Sequence, residues 1–458
     1  PLYLSVQELA GLWHLPVGEG LEATQRQTFE RLIPVAESVR HPEGLPIGEA
    51  RKGDQSVPVT LTPEALQRNL FVIGKTQHGK SSFLEHLAVH WMQDPQRAVL
   101  VVDPHGDLAE RLIGLVPAER VPEVIYLDLA DEGRVAGLNL LDVTTGGQPD
   151  SMAEDFVDVG RALWGEFWGP RMQIPLGMGL RALAHANLRR RPEEQFTIFA
   201  LSELLTANLV TRKALLDEEV PASQRPDVRR YFDFEYANLS PSLLEQVISP
   251  VLSKCHAFER SAAIRRLVGQ PHSTVPLAEA LRQRKIILLN TNAGMLGDDL
   301  AGFLGSLVIN LMRRIIMRQA TVPRAERILV SVIADEFQTL TGTDFGALLG
   351  ELQKYGGNFA LGTQSLNHLR AGPDRTDRLG QILAGVETKV VLQVNGEDAH
   401  FLAKHELDVA RLHPESLLNV PRFHAYVKTL GVDGRPLPVY SVQLAQPLTP
   451  DETIRTQV

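Results

Sequence analysis

Residues 73–83 read IGKTQHGKSSF, with four residues between Gly74 and Gly79 and then Lys80 and Ser81. The spacing G-x-x-x-x-G-K-[ST] is suited to holding a phosphate chain. Main-chain N–H groups in such a loop point at phosphate oxygens from a helix N-terminus, where the backbone dipoles also favour an anion. On this reading Gly74, Gln77, His78, Gly79, Lys80, Ser81 and Ser82 cradle the phosphates. Lys80 spans the β- and γ-phosphates, and the Ser81 hydroxyl ligates Mg2+. Gln77 and His78 stand where many such loops carry glycine; they crowd the loop without removing an N–H donor. The plain alternative is a tight strand-to-helix turn that happens to contain a lysine.

A second segment, RILVSVIADEFQTL, runs apolar into Asp335 and Glu336. This is the pattern of a buried strand emerging at its carboxyl edge, where open α/β sheets bind ligands. Asp335 is expected to hold Mg2+ through water, and Glu336 to orient or deprotonate the water that attacks the γ-phosphate. In NFALGTQSL, Gln364 follows another apolar run and is placed to touch that water or the γ-phosphate, although a helix-capping Gln has the same pattern. Asp103 in VVDPHGDL reads equally as a helix cap or as a group near the metal. The base-reading pattern [NT]-K-x-D is absent, since TKVV at 388 lacks the aspartate, which favours ATP over GTP.

Positioning these residues requires strands alternating with helices. NLFVIG, RAVLVVD and EVIYLDL are strands before residue 150, and KIILLN, RILVSVIAD, NFALGTQ and TKVVLQV are strands after 283. Nearly continuous apolar strands of this kind make a parallel sheet covered by helices on both faces. Between residues 151 and 282 strand-like runs vanish and helical periodicity takes over, as in GMGLRALAHANLRRR and SLLEQVISPVLSKCHAFERSAAIRRLV. The expected fold is therefore α/β, a P-loop NTPase with a mostly parallel sheet and an inserted all-α domain. The division is an N-terminal segment over 1–60, a motor domain in two parts over 61–150 and 283–458, and the insertion over 151–282. LSVQELAGLWHLP reads as a short helix, HPEGLPIGEARKGDQ as loop and turn, and RFHAYVKTLGVDGRPLPVYSVQL as a hairpin turning at Asp-Gly.

Composition narrows the classes of function. The 458 residues are 44% hydrophobic and 22% charged, with a net charge of -9. Nucleic acid would thus meet a local basic patch or lined channel rather than a basic surface. Arg189–Arg191, Arg229–Arg230, Arg265–Arg266 and Arg313–Arg314 are the groups that would meet phosphates. The single cysteine, Cys255, excludes an intrachain disulfide framework and reads as a buried apolar residue. No run approaches the roughly 18 apolar residues of a membrane span; the longest candidate, FLGSLVINLM, ends at Arg313.

VIGKTQHGKSS, VVDPHGDL, GLNLLD, VIADEFQTL and ELQKYGGNFALGTQSLNHLR together resemble the HerA/FtsK superfamily of ring-forming motor ATPases. Within it the chain looks most like the cytoplasmic part of type IV secretion coupling proteins used in conjugative DNA transfer. The resemblance implies a RecA-like, ATP- and Mg2+-dependent homohexamer with DNA, single- or double-stranded, passing through its channel. Relaxase or other secreted substrate proteins and the type IV secretion apparatus are the implied partners. The implied location is the cytoplasm, with room for an anchor upstream of Pro1 at the inner membrane's cytoplasmic face. Where relatives often carry Arg-Lys-Tyr-Gly, this chain has Gln353-Lys354-Tyr355-Gly356. A trans-acting cation would then be Lys354, Arg370, Arg375 or Arg378. A secretion ATPase acting on protein or assembling a pilus, and a nucleotide-shaped substrate receptor, are the other readings of the same residues.

Overall fold

Strands without a polar face must be covered on both sides, and several here are apolar almost throughout. In the computed structural model, which describes residues 29–458 except 132, 135, 146, 166–167, 224, 371–377 and 408–411, they form the centre of an 11-stranded sheet. The strands are β1 (Leu45–Lys52), β2 (Gln55–Leu61), β3 (Leu70–Ile73), β4 (Arg97–Asp103), β5 (Val124–Asp128) and β6 (Ile286–Asn290). They continue with β7 (Leu329–Ala334), β8 (Gly357–Thr363), β9 (Thr388–Val391), β10 (His424–Lys428) and β11 (Tyr440–Leu444). Their order across the sheet is β2-β1-β11-β10-β9-β3-β8-β7-β4-β6-β5. From β9 to β5 every neighbouring pair is parallel, and β10, β11, β1 and β2 extend the sheet antiparallel.

Side chains alternate across a strand with period two, and β4 divides its residues accordingly. Leu100 and Val102 join one apolar cluster, Val99 and Val101 the other. Helices α1 (Lys80–Met92) and α2 (Asp107–Ile113) cover the second face through Phe83, Leu84, Leu87, Leu108 and Leu112. Between β5 and β6 the regular elements among the described residues are all helical, including α3 (Pro149–Leu163), α4 (Pro170–Asn187) and α5 (Pro241–Arg260). These pack on α6 (Asp298–Met317), where Phe156, Trp164 and Phe258 surround Phe303 with ring centroids 5.4, 6.0 and 5.0 Å away. The helical segment therefore shares one apolar cluster with the first sheet face. The stretch Asp298–Thr321 is long and apolar enough by composition to cross a membrane, yet 61% of its most apolar window is buried inside the protein.

The structure corrects one expectation. Residues 41–55 were expected as loop, but 45–52 form β1, which pairs with β2 on one side and β11 on the other. The Pro and Gly residues that suggest a loop mark an irregularity within a paired strand: the register shifts between Pro46 and Gly48, and Gly48 has φ +141°. A Cβ there would lie 1.9 Å from the Gln443 carbonyl oxygen, so the close approach of β11 demands glycine. The C-terminal hairpin forms as β10 and β11, with the chain reversing around Asp433 and Gly434. The LSVQELAGLWHLP segment lies outside the described residues.

Candidate functional site

The parallel order puts the ends of β3, β7, β8 and β4 side by side, so three sequence-distant segments converge. The glycine loop leaves β3 at Ile73 and enters α1 at Lys80. Its root is fixed between two strands: the Gly74 N–H donates to Thr363 O (3.1 Å) and the Lys75 N–H to Gln393 O (2.8 Å). Gly79, with φ +107°, is the residue before the helix. A helix leaves its first N–H groups without an internal acceptor. Among the described residues no hydrogen bond is recorded for the main-chain N–H of Gly79, Lys80, Ser81 or Ser82. Those donors, at the positive end of a 13-residue helix, fit a phosphate.

Gln77 adopts φ +63°, the left-handed region in which a side chain costs about 1–3 kcal/mol. Its carbonyl accepts from Arg422 Nε at 2.9 Å, and the His78 carbonyl accepts from the Phe423 N–H at 3.0 Å. The turn before β10 thus braces the crowded part of the loop from outside. Lys75, Thr76, Gln77 and Ser81 are exposed, His78 and Ser82 half-buried, and Gly74, Gly79 and Lys80 buried.

The Lys80 ammonium reaches across to both acids at the end of β7. It donates to Asp335 Oδ1 and, at 2.6 Å, to Glu336 Oε1. Glu336 is held further by Gln364 Nε2 on Oε1 (2.8 Å) and Gln338 Nε2 on Oε2 (2.6 Å). Its own backbone is left-handed, φ +42°. Asp335 has room because β8 carries Gly362 opposite it, where a Cβ would come within 2.7 Å of Asp335 Oδ1.

Charge and burial oppose each other here. Burial favours neutral Lys80, but the two carboxylates outweigh it and its pKa rises above the usual lysine value. Burial likewise favours protonated Glu336, and the Lys80 charge with the Gln338 and Gln364 amides outweighs it, so its pKa falls below the usual carboxylate value. For Asp335, nearly enclosed, burial prevails over Lys80 and its pKa rises. Two adjacent acids are thereby driven apart in acidity, as sites with divided roles require.

The structure therefore brings together Gly74, Gly79, Lys80, Asp335, Glu336 and Gln364. It resolves Asp103 as a cap: Oδ2 accepts from the Leu108 and Ala109 N–H groups at 2.8 and 3.0 Å, and Oδ1 from His105 at 3.0 Å. Gln364 touches the acid and not a helix end. Gln338 was not read from the sequence, although its place two residues past the acid was a local signal; Arg422 had no local signal and comes to the loop only through the antiparallel extension of the sheet. Lys354 is exposed, beyond the opposite end of β8 from Gln364, and Arg378 is exposed at the start of a helix over Arg378–Ala384. Arg370 ends a short helix, and Arg375 lies outside the described residues.

The arginine groups are mostly engaged within the protein. Arg190 pairs with Glu219 (2.7 Å), Arg229 with Asp217 and Asp233 (2.5 and 2.9 Å), and Arg230 with Glu235 (3.2 Å). Arg313 pairs with Glu351 (2.6 Å) and Arg314 with Asp155 (3.0 Å). Among the described residues no group of three or more His, Cys, Asp or Glu is arranged to hold a metal by itself.

Fold and site together have the arrangement of a P-loop NTPase, and the similarities run to motor proteins of the HerA kind. Residues 45–136, which include the glycine loop, match the family model "Helicase HerA, central domain". In fold the chain is similar to the bacterial conjugative coupling protein TrwBdeltaN70, unbound, with TM-score 0.60 and 16% identity over 94% of this chain and 92% of that one. Against TrwB in complex with the ATP analogue ADPNP the TM-score is 0.58 and the identity 17%, over 92% of this chain and 97% of that one. VirB4 of Thermoanaerobacter pseudethanolicus gives 0.57 and 14%, over 92% of this chain and 100% of that one. No curated protein matches the sequence significantly.

Proposed function

We propose that the chain is an ATP-hydrolysing motor that translocates DNA on a conjugation or type IV secretion pathway, as a homohexameric ring. The observation that carries the ATPase reading is the meeting of Lys80, Asp335, Glu336 and Gln364 beneath a helix N-terminus with free N–H donors. The similarity in fold to TrwB, which has been captured with ADPNP and with ADP and Mg2+, supports ATP and Mg2+ as ligands. The residues fit Mg2+: the Ser81 hydroxyl and the Asp335 carboxylate are hard oxygen donors, and Mg2+ commonly takes one or two protein oxygens with water and phosphate. Bound there, Mg2+ neutralises charge on the β- and γ-phosphates.

The chain's own groups act as follows. Lys80 moves its ammonium from the acids to the phosphate oxygens, which frees the Asp335 carboxylate for the metal's water. Glu336, already ionised and aimed by the Gln338 and Gln364 amides, orients the attacking water and takes its proton as the bond to the leaving ADP oxygen breaks. Gln364, directly after the strand next to β3, reports that change to the helix behind it. A cation from the neighbouring subunit, Lys354, Arg370, Arg375 or Arg378, completes the charge around the γ-phosphate. In this reading the helical segment 151–282 forms a separate functional unit facing the cytoplasm, relaxase or other secreted proteins are cargo or partners, and the ring stands at the inner membrane through an anchor outside this chain.

ATP turnover measured with and without single- and double-stranded DNA at low salt tests the proposal. Stimulation that weakens as salt rises is expected, because backbone contacts release counterions; no stimulation by either DNA counts against it. A second reading, a secretion ATPase that moves protein or assembles a pilus, is favoured by the ion pairing of Arg190, Arg229, Arg313 and Arg314. Strong turnover in an assembled ring without DNA binding selects it. A receptor whose nucleotide only sets ring shape would keep substrate docking in Lys80→Ala.

A further inference from the structure

We infer that Asp398 is a positioning residue that sets the reach of Gln364 toward Glu336. This rests on the ATPase reading of the site, and its test has an arm that does not. The residues after β8 enter a short loop, and the residues after β9 turn at Asn395 into a helix over Gly396–Phe401. Asp398 sits on that helix with no solvent exposure, and its N–H donates to the Asn395 side chain at 2.9 Å.

One oxygen of Asp398 ties the two loops together. Oδ2 accepts the Ser365 hydroxyl at 2.9 Å, the Leu366 N–H at 3.1 Å and Asn395 Nδ2 at 2.8 Å. Ser365 Oγ also accepts from Asn395 Nδ2 and from the Asn367 N–H, both at 3.2 Å. The residue directly after Gln364 is thus fixed by side chains from the loop after β9, one strand removed across β3. On its other side the Gln364 backbone continues from Thr363, whose hydroxyl donates to Ser365 O at 3.1 Å. The tip between these two holds is Gln364, whose amide reaches Glu336.

The second oxygen, Oδ1, is buried with no hydrogen-bond partner among the described residues. An unsatisfied buried acceptor costs stability, so a carboxyl here is poorly explained as a stabiliser of the fold alone. It is well explained by geometry, because three donors from two loops converge on one oxygen. The one-sided bonding also makes a discriminating test available. Asparagine keeps an acceptor at the Oδ2 position and places its amide where Oδ1 makes no bond; alanine removes the acceptor.

The experiment compares Asp398→Ala, Asp398→Asn and Ser365→Ala, each with and without Gln364→Ala. In Asp398→Ala, ATP turnover is expected to fall by up to about a hundredfold, the scale of a displaced catalytic contact, with KM for ATP unchanged. Asp398→Asn should restore turnover, and Ser365→Ala should give a smaller loss of the same kind. Neither Asp398→Ala nor Ser365→Ala should cost more in the Gln364→Ala background, because residues acting through one contact are not additive. Hydrogen exchange on the nucleotide-free protein should show faster exchange at 364–367 in Asp398→Ala, with residues 79–82 unchanged. Unchanged exchange at 364–367, losses that add to Gln364→Ala, or a KM that rises in step with the loss overturns the inference. A wild-type chain without turnover overturns the ATPase reading, and the exchange result then decides the loop-fixing role by itself.

Discussion

At the scale of residues, the ammonium of Lys80 holds two acids, and the proposed function requires it to leave them for phosphate oxygens. Lys80→Ala should abolish ATP turnover. It should also change how stability follows pH. In the native chain Glu336 has a depressed pKa, so its contribution is present above the unfolded value and lost as pH falls through the folded one. Without Lys80 only burial and the amides act, and the buried acids should titrate above their unfolded values. Stability of Lys80→Ala should therefore rise as pH is lowered through mildly acid values, measured by thermal unfolding against pH. Glu336→Gln keeps the hydrogen-bonding shape but not the base, and should lower kcat by about 10²–10⁴-fold while nucleotide still binds. Arg422→Ala removes the hydrogen bond on the strained Gln77 peptide. A bond worth about 0.5–1.5 kcal/mol implies nucleotide affinity weaker by about two- to tenfold, read by titration.

At the scale of elements, the helical segment meets the sheet's own helix through an ion pair that burial disfavours. Asp155 on α3 faces Arg314 on α6, with side-chain exposures of 23% and 20%. Burial pushes the Asp155 carboxyl up to about 6; Arg314 and Arg313 oppose this, and Asp158 and Glu154 add to it. Burial also lowers the Arg314 pKa, so both partners lose on charging what solvent would have supplied. Because the folded value lies above the unfolded one, stability should decline as pH rises from about 4 to about 6, by at most about 1.4 kcal/mol per pH unit. Asp155→Asn should flatten that slope without unfolding the protein, as measured by denaturant midpoints across the range.

At the scale of the whole molecule, one chain supplies the loop, the acids and the amide, while the positive charge that would face them from another direction has no counterpart within the described cluster. If a neighbouring subunit provides it, turnover per chain should rise with protein concentration and level off once rings form. A rate independent of concentration across that range would contradict the ring. The same series run with Lys354→Ala, Arg370→Ala, Arg375→Ala and Arg378→Ala identifies which cation acts, since the trans-acting one lowers the plateau without shifting the assembly point.

The sequence determined by itself what is local. Gly74, Gly79, Lys80 and Ser81 carry their proposed chemistry in plain spacing, because a phosphate cradle is a run of consecutive backbone donors. Strands such as RAVLVVD announce a buried sheet because nothing in them faces water. Asp335 and Glu336 were legible for the same reason, as acids ending an apolar run. β1 was not: its signal is alternation in the strand next to the sheet's edge, broken by the glycine that β11 requires, and that requirement is visible only when β11 is beside it. Nor were Arg422 and Asp398, whose partners lie hundreds or tens of residues away. Asp103 stayed open between cap and metal neighbour until its oxygens were seen to be taken by three N–H groups. Tertiary structure alone decides such matters, because the order of strands in a sheet, and not their order in the chain, sets which side chains share an edge.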